Sequence, residues 1–316
     1  MIDFRYHLIS LVAVFLALGL GILMGTVVLN DALVDSLRSD ISDVRRHNSN
    51  LEEEIDIQDR RIDAANAFAN AAAPWLTRDA LQGRVIVLVQ LEGTDGDMTG
   101  SLRDDVEDAG GEMPTTIVLS DRFSLRDQTE RDQLALLIDS TEGGAAELRF
   151  EAGELLGARL AAAGAEAPTP ARPQDVAQEG LRQLFRQLET ADFISVDADD
   201  DQNIVPSNAM FLVLGGDASD REYDASGLVA SIVAELSSRG APTLVAEPGE
   251  STWGVVPVVR DDPEAGTRVA TVDQADTVEG RIAVVLGLAR AFEGVTDHYG
   301  VGSGATQLIP EPASAP

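Results

Sequence analysis

The sequence contains no cysteine and no lysine, three histidines and few aromatic residues. Without cysteine, a disulfide framework, a thiolate metal site and a cysteine nucleophile are excluded, and the redox compartment leaves no trace. Without lysine, all 23 basic residues are arginine, against 54 acidic ones, for a net charge of −31. A chain that binds nucleic acid carries a basic footprint, and none is present here, so no nucleic-acid partner is expected. The acidity favours solubility and repels phosphates. Aromatics make up only 4% and hydrophobic residues 44%, so a core must be built from Val, Leu, Ile and Ala. The 316 residues correspond to about two domains at about 150 residues each.

What the sequence does have begins with an uncharged run, LISLVAVFLALGLGILMGTVVL, from Leu8 to Leu29. As a helix at ~1.5 Å per residue it covers about 33 Å, close to the ~30 Å hydrocarbon core of a bilayer. It is longer than the roughly 7–15 apolar residues of a signal peptide and ends without a small-x-small cleavage site. Residues 1–30 are therefore expected to be an uncleaved transmembrane anchor. The α-amino group, Asp3 and Arg5 precede the run, while Asp31, Asp35, Arg38 and Asp40 follow it. The positive-inside rule then puts the N-terminus in the cytoplasm and the bulk of the chain outside a single-pass cell membrane. Ala13, Ala17, Gly21 and Gly25 recur every four residues along one helical stripe. Such small-residue stripes let two helices approach closely in lipid, although Ala and Gly are common in membrane spans in any case.

A heptad follows, over residues 31–74. Its a positions hold Val34, Ile41, Asn48, Ile55 and Ile62, and its d positions Leu37, Val44, Leu51 and Gln58. β-Branched residues at a with Leu or Val at d favour two parallel strands, and one Asn at an a position fixes register and dimeric state at some cost in stability. The alternative, a helix packed on its own domain, needs a wider apolar stripe than a and d alone. Positions b, c and f are almost all polar through Arg61, so a parallel coiled-coil homodimer is expected. The seam thins to Ala65, Ala69 and Ala72, and Pro74 is expected to end the helix. From about Ala32 to Ala73 the rod would be roughly 60 Å long at ~1.5 Å per residue.

From Leu81 the pattern becomes that of an α/β domain, 81–300. VIVLVQL (85–91), TTIVL (115–119), FLVLGG (211–216), TLVAEP (243–248) and RVATVD (268–273) read as strands. Between them, 101–111, 127–138, 145–163, 175–189, 225–239 and 277–292 read as helices. Continuous apolar strands alternating with helices predict a mainly parallel, doubly wound sheet covered on both faces. APTPARPQ (167–174) is a proline-rich break. The tail, 301–316, is rich in Pro and Ala and is expected to be flexible.

The segment FRYHLISLVAVFLALGLGILMG, the acidic heptad helix after it, and the later VDQADTVEGRIAVVLGLARAFEG and HYGVGSGATQLIP resemble the actinobacterial MctB-type family. The resemblance covers essentially the whole chain. It implies copper transport at the mycobacterial outer membrane, the description that family carries. It also implies cell-envelope assembly at the division septum with a partner membrane protein, to which members have been linked. It supplies no catalytic motif.

The residues themselves give copper little support. Cu(I) favours Cys and Met, and Cu(II) favours imidazole. His7, His47 and His298, and Met1, Met24, Met98, Met113 and Met210, form no clustered motif. A β-barrel pore would need at least eight alternating strands, and the pattern here is helical with continuous apolar strands. DADDDQN (197–203) opens like a calcium loop but has Gln202 and Asn208 where that loop needs Gly and Glu. QLEGTDGDMTG (90–100) is Gly-rich after a strand, yet is neither GxGxxG nor a P-loop. No catalytic, cofactor-binding or metal-binding residue is therefore assigned. The expected protein is a non-enzymatic, membrane-anchored dimer that presents an acidic α/β domain to an envelope partner. Copper homeostasis is the alternative, and an α/β enzyme or ligand sensor using Gly93–Gly100 the third.

Overall fold

A computed structural model gives the fold. It describes residues 4–165, 173–215, 224–249, 251 and 254–311, and gives no account of the side chains of Phe4, 26–36 and 173–175. The chain divides into two units, Met1–Ala67 and Phe68–Pro316.

Helix α1 runs over Phe4–Leu76, from the first unit into the start of the second. Its first part, Arg5–Gly25, is long and apolar enough to cross a membrane, and none of it is buried. Pro74 lies inside the last turn rather than at the end. A proline forfeits one i→i−4 hydrogen bond, and the chain leaves the helix within three residues. There Thr77 returns both its amide and its hydroxyl to the Ala73 carbonyl.

The second unit is an α/β domain on a seven-stranded sheet of order β3-β2-β1-β4-β5-β6-β7. The strands are β1 Val85–Leu91, β2 Glu112–Leu119, β3 Ile194–Ala198, β4 Met210–Leu214, β5 Thr243–Ala246, β6 Ala270–Val272 and β7 His298–Tyr299. All pairs are parallel except β2 with β3. Helices α2 (Gly96–Asp108) and α8 (Val278–Phe292) cover one face. The other is covered by α3 (Gln128–Ile138), α4 (Ala145–Gly164), α5 (Pro173–Thr190), α6 (Ser226–Ser238) and α7 (Val255–Asp261). Residues of β1 alternate between the two cores: Val87, Val89 and Leu91 face α3–α7, and Ile86 and Leu88 face α2 and α8. Two covered faces explain why the strand runs are apolar without interruption. The fold is thus α/β with a mostly parallel sheet behind an N-terminal apolar helix, as the strand and helix pattern predicts.

Several boundaries move for local reasons. Helix α2 begins at Gly96, five residues before the predicted start, because the Asp95 carboxylate accepts from the Asp97 amide and caps it. Residues Gly96–Gly100 are therefore helix, and of the glycines in 90–100 only Gly93, at φ +81°, lies in the turn after β1. Strand β3, helix α7 and strand β7 were not predicted. The break 167–174 falls on residues 167–172, outside the described residues, followed by the first turn of α5. Of the tail, 312–316 also lie outside them. Before that point the chain returns to β7: the Gly300 amide donates to the Gln307 carbonyl, and the Thr306 amide to the His298 carbonyl.

Candidate functional site

The first unit offers one surface feature. Leu37, Ile41, Val44, Leu51, Ile55 and Ile62 all have exposed side chains, and Ile55 is 58% exposed. Asn48 and Gln58 are exposed in the same row. The side chain of Val34 lies outside the described residues. Water-exposed Ile and Leu spaced every three and four residues along a helix form an uncovered apolar seam. In the apolar span, Ala13, Ala17 and Gly21 are exposed and Gly25 is half-buried. Nothing lies within 4 Å of where a Cβ would stand on Gly21 or Gly25.

The face that continues the seam changes character in the second unit. Ala69 is buried, and Ala72 and Ala73 are half-buried. Phe68 and Trp75, seven residues apart, are 76% and 73% exposed. The Arg78 guanidinium lies 4.7 Å from the Trp75 ring centroid, a cation–π contact at the start of the domain.

Within the domain, the most developed polar cluster sits at the carboxyl ends of β5, β6 and β7. Arg260, on α7, is the hub. Its Nε donates to Thr271 Oγ1 at 2.8 Å, Nη1 to Asp273 Oδ2 and the Ser303 carbonyl at 2.9 Å, and Nη2 to the Tyr299 carbonyl at 2.8 Å. Asp273, directly after β6, also accepts from the Val301 amide at 2.8 Å and the Gly302 amide at 3.0 Å. Both side chains are buried, at 4% and 10% exposure. Gly300 sits at φ +121° with the Asp273 carboxylate where a Cβ would project. A side chain there would push the carboxylate off its donors.

Glu247, directly after β5, lies beside this pair and accepts from the Val256 amide at the start of α7, at 3.0 Å. Burial raises its pKa above the usual carboxylate value, against the lowering effect of the Val256 and Val255 amides and of Arg260. His298, whose Nδ1 is 3.0 Å from Thr271 Oγ1, is pushed the other way, below the usual imidazole value, by burial and then by Arg260. The Tyr299 hydroxyl is pushed up to about 12, chiefly by burial. A cavity of about 240 Å³ opens beside Glu247, Arg260 and Asp273. The donors of Arg260 are spent on internal partners, so the cluster binds α7, β6 and the segment after β7 together. Nothing in the sequence spacing announces it, because its members lie far apart along the chain.

Residues able to take copper are dispersed. His7 and Met24 are exposed on the apolar part of α1, and His47 is exposed on its polar part. Met98, Met113 and Met210 are buried in the α2–α8 core. His298 is committed to Thr271. Among the described residues, no group of three or more His, Asp and Glu converges as a metal site.

Comparison with known proteins decides the family. The family described as "Copper transport outer membrane protein, MctB" matches residues 1–310. The chain belongs to the MctB family. "Copper transporter MctB" of Mycobacterium tuberculosis (strain ATCC 25618 / H37Rv) is 30% identical over 98% of this chain and 99% of the relative. The proteins of that name from Mycobacterium bovis and Mycobacterium leprae are each 30% identical over the same shares. The match to this MctB-family chain runs along the apolar segment, the rest of α1 and the α/β domain alike.

Proposed function

We propose that this MctB-family chain is a non-enzymatic, single-pass membrane protein. Its N-terminus is cytoplasmic, and it acts as a parallel dimer that presents its acidic α/β domain to a partner protein in envelope assembly at the septum. The observation that carries the reading is the exposed apolar seam of α1, whose a positions are interrupted by one polar residue, Asn48, and whose d positions by Gln58. Uncovered Ile and Leu in this spacing are stabilised by a second identical helix, and facing Asn side chains select register and two strands. The small-residue stripe Ala13, Ala17, Gly21 and Gly25 supports close approach of the same two helices in lipid. Two copies anchored in one membrane are already parallel.

The family name favours a second reading, a part in copper transport or tolerance. With the candidate ligands dispersed in one chain, copper in this reading is cargo handled within a larger complex. Cells lacking the chain separate the two. The first reading predicts a septal or envelope defect, restored by the wild-type chain but not by Ile41→Asp/Ile55→Asp, with unchanged copper tolerance. Copper sensitivity with normal septation overturns it in favour of the second.

A further inference from the structure

We propose that the open edge of β3 takes up an extended, cationic segment of a partner protein as an added strand. This deepens the reading of the domain as a binding module by naming a surface and the chemistry it selects.

The sheet has two edges. At one, β7 is only two residues long, and Gln307 bridges to Tyr299 beside it. At the other, β3 is five residues long and pairs only with β2, in the register Thr115↔Ala198 to Leu119↔Ile194. The Ser120 amide donates to the Phe193 carbonyl, and the Asp199 amide to the Pro114 carbonyl. In an antiparallel pair, bonded residues alternate with unbonded ones. These end bonds therefore turn the backbone groups of Ser195 and Asp197 toward β2 and those of Val196 and Ala198 outward. The outward Val196 amide donates to Glu189 Oε1 at 3.1 Å. That oxygen stands where the carbonyl of a neighbouring strand would stand. Among the described residues, no hydrogen bond engages the Val196 carbonyl or the Ala198 amide. Glu189 is a side-chain guard on the edge, of the kind that limits edge-to-edge association, and it can move aside for a strand.

Successive side chains of an added strand would point to opposite faces, and the two faces of this edge differ. Toward α2 lies a cavity of about 460 Å³ lined by Glu107, Glu112, Asp197 and Asp199. Its one arginine, Arg103, is held by the Met113 carbonyl at 2.6 Å and Thr116 Oγ1 at 2.8 Å, and one cation against four carboxylates leaves the cavity acidic. Toward α5 lies a groove of about 350 Å³ with Phe185, Val196 and Ile204 along it, and its two arginines, Arg182 and Arg186, are paired with Glu179. The pattern that fits is a short strand of alternating basic and apolar residues, the basic ones facing the four carboxylates. A second copy of β3 would bring Asp197 and Asp199–Asp201 against their own kind, so charge selects a cationic partner. Main-chain bonds supply affinity in such strand addition, and alternate side chains supply selectivity.

The probe is an end-blocked seven-residue peptide of alternating Arg and Val, titrated into the full-length chain in detergent. Four further titrations use a Glu–Val peptide, the Arg–Val peptide N-methylated at every second amide, and the variants Asp197→Asn/Asp199→Asn and Glu189→Ala. The expected result is saturable binding of the Arg–Val peptide and none of the Glu–Val peptide. Asp197→Asn/Asp199→Asn should weaken binding about fivefold for each lost cross-strand charge pair, and Glu189→Ala should tighten it. The N-methylated peptide keeps its charge but cannot complete the ladder, and should bind at least about tenfold more weakly. Equal binding of the methylated and parent peptides overturns the proposal, because charge alone then suffices. Absence of Arg–Val binding to both wild type and Glu189→Ala also overturns it. Neither result touches the dimer, so this inference and the reading of α1 can fail separately.

Discussion

The Asp273 carboxylate carries three bonds at once: one from Arg260 and two from the amides of Val301 and Gly302. Asp273→Asn replaces one oxygen with an NH₂ group of the same size. Every group facing that position is a donor, so the new amide meets N–H groups with nothing to accept its own. Arg260 then keeps its charge at 4% exposure without the carboxylate bonded to it. Breaking a buried pair on one side typically costs about 3–5 kcal/mol, and the amide bond lost at the new NH₂ group, with the charge assistance lost at the other, is part of that sum. The loss falls on the segment after β7, because Asp273 is what holds Val301 and Gly302. Hydrogen exchange of the full-length chain in detergent, followed by mass spectrometry, reads this locally. Amides between 298 and 307 should exchange at least about a hundredfold faster at the 3 kcal/mol end of the range, while β1 and β4 change little. Arg260→Met/Asp273→Leu, which removes both charges, should cost less than Asp273→Asn. Unchanged exchange at 298–307 in Asp273→Asn, or a double variant worse than the single one, refutes the assignment of this pair as the tie.

Other outcomes follow from the same geometry. Glu247 has a raised folded-state pKa, so its contribution to stability is complete below the ordinary value near 4.5 and is lost as pH rises through the folded value. Glu247→Gln should therefore show a smaller loss of stability between about pH 4.5 and neutrality than wild type, measured by urea unfolding at stepped pH; equal slopes contradict this. A Cβ on Gly157 would lie 2.6 Å from the Ile232 carbonyl, where α4 and α6 meet backbone to backbone. Gly157→Val should cost about 1–3 kcal/mol or more by overpacking, seen as a lowered urea midpoint, whereas Gly227→Val, with open space around it, should cost clearly less.

The helices and the parallel strands were legible because each has a strong local signature. Val85–Leu91 is an unbroken apolar run buried on both faces, and α5 places Leu181, Leu184, Phe185 and Leu188 on one side. The elements that escaped lack such a signature. In β3, Asp197 on the exposed face is followed by Asp199, Asp200 and Asp201, so the stretch reads as an acidic loop. Helix α7 has only seven residues and carries Pro257, which is tolerated because its missing N–H falls in the first turn, where helix amides have no internal partner. β7 consists of two residues, stabilised by neighbours rather than by its own composition. The polar cluster was hidden for a related reason: Arg260, Asp273 and Val301–Ser303 are brought together only when β6 and β7 lie side by side. The helix of α1 was legible residue by residue, since a heptad is a local pattern. Its end was not, because burial of Ala69 depends on the domain beside it.

The central claim is that two chains meet along α1, and the absence of cysteine makes it directly testable. Single cysteines can be placed in the full-length chain in native membranes, at Val44 or Leu51 on the seam and at Arg46 or Ser49 off it. Mild oxidation should join Val44→Cys and Leu51→Cys chains into disulfide dimers and leave Arg46→Cys and Ser49→Cys chains monomeric. Equal crosslinking at all four positions, or none at the two seam positions, would contradict the account.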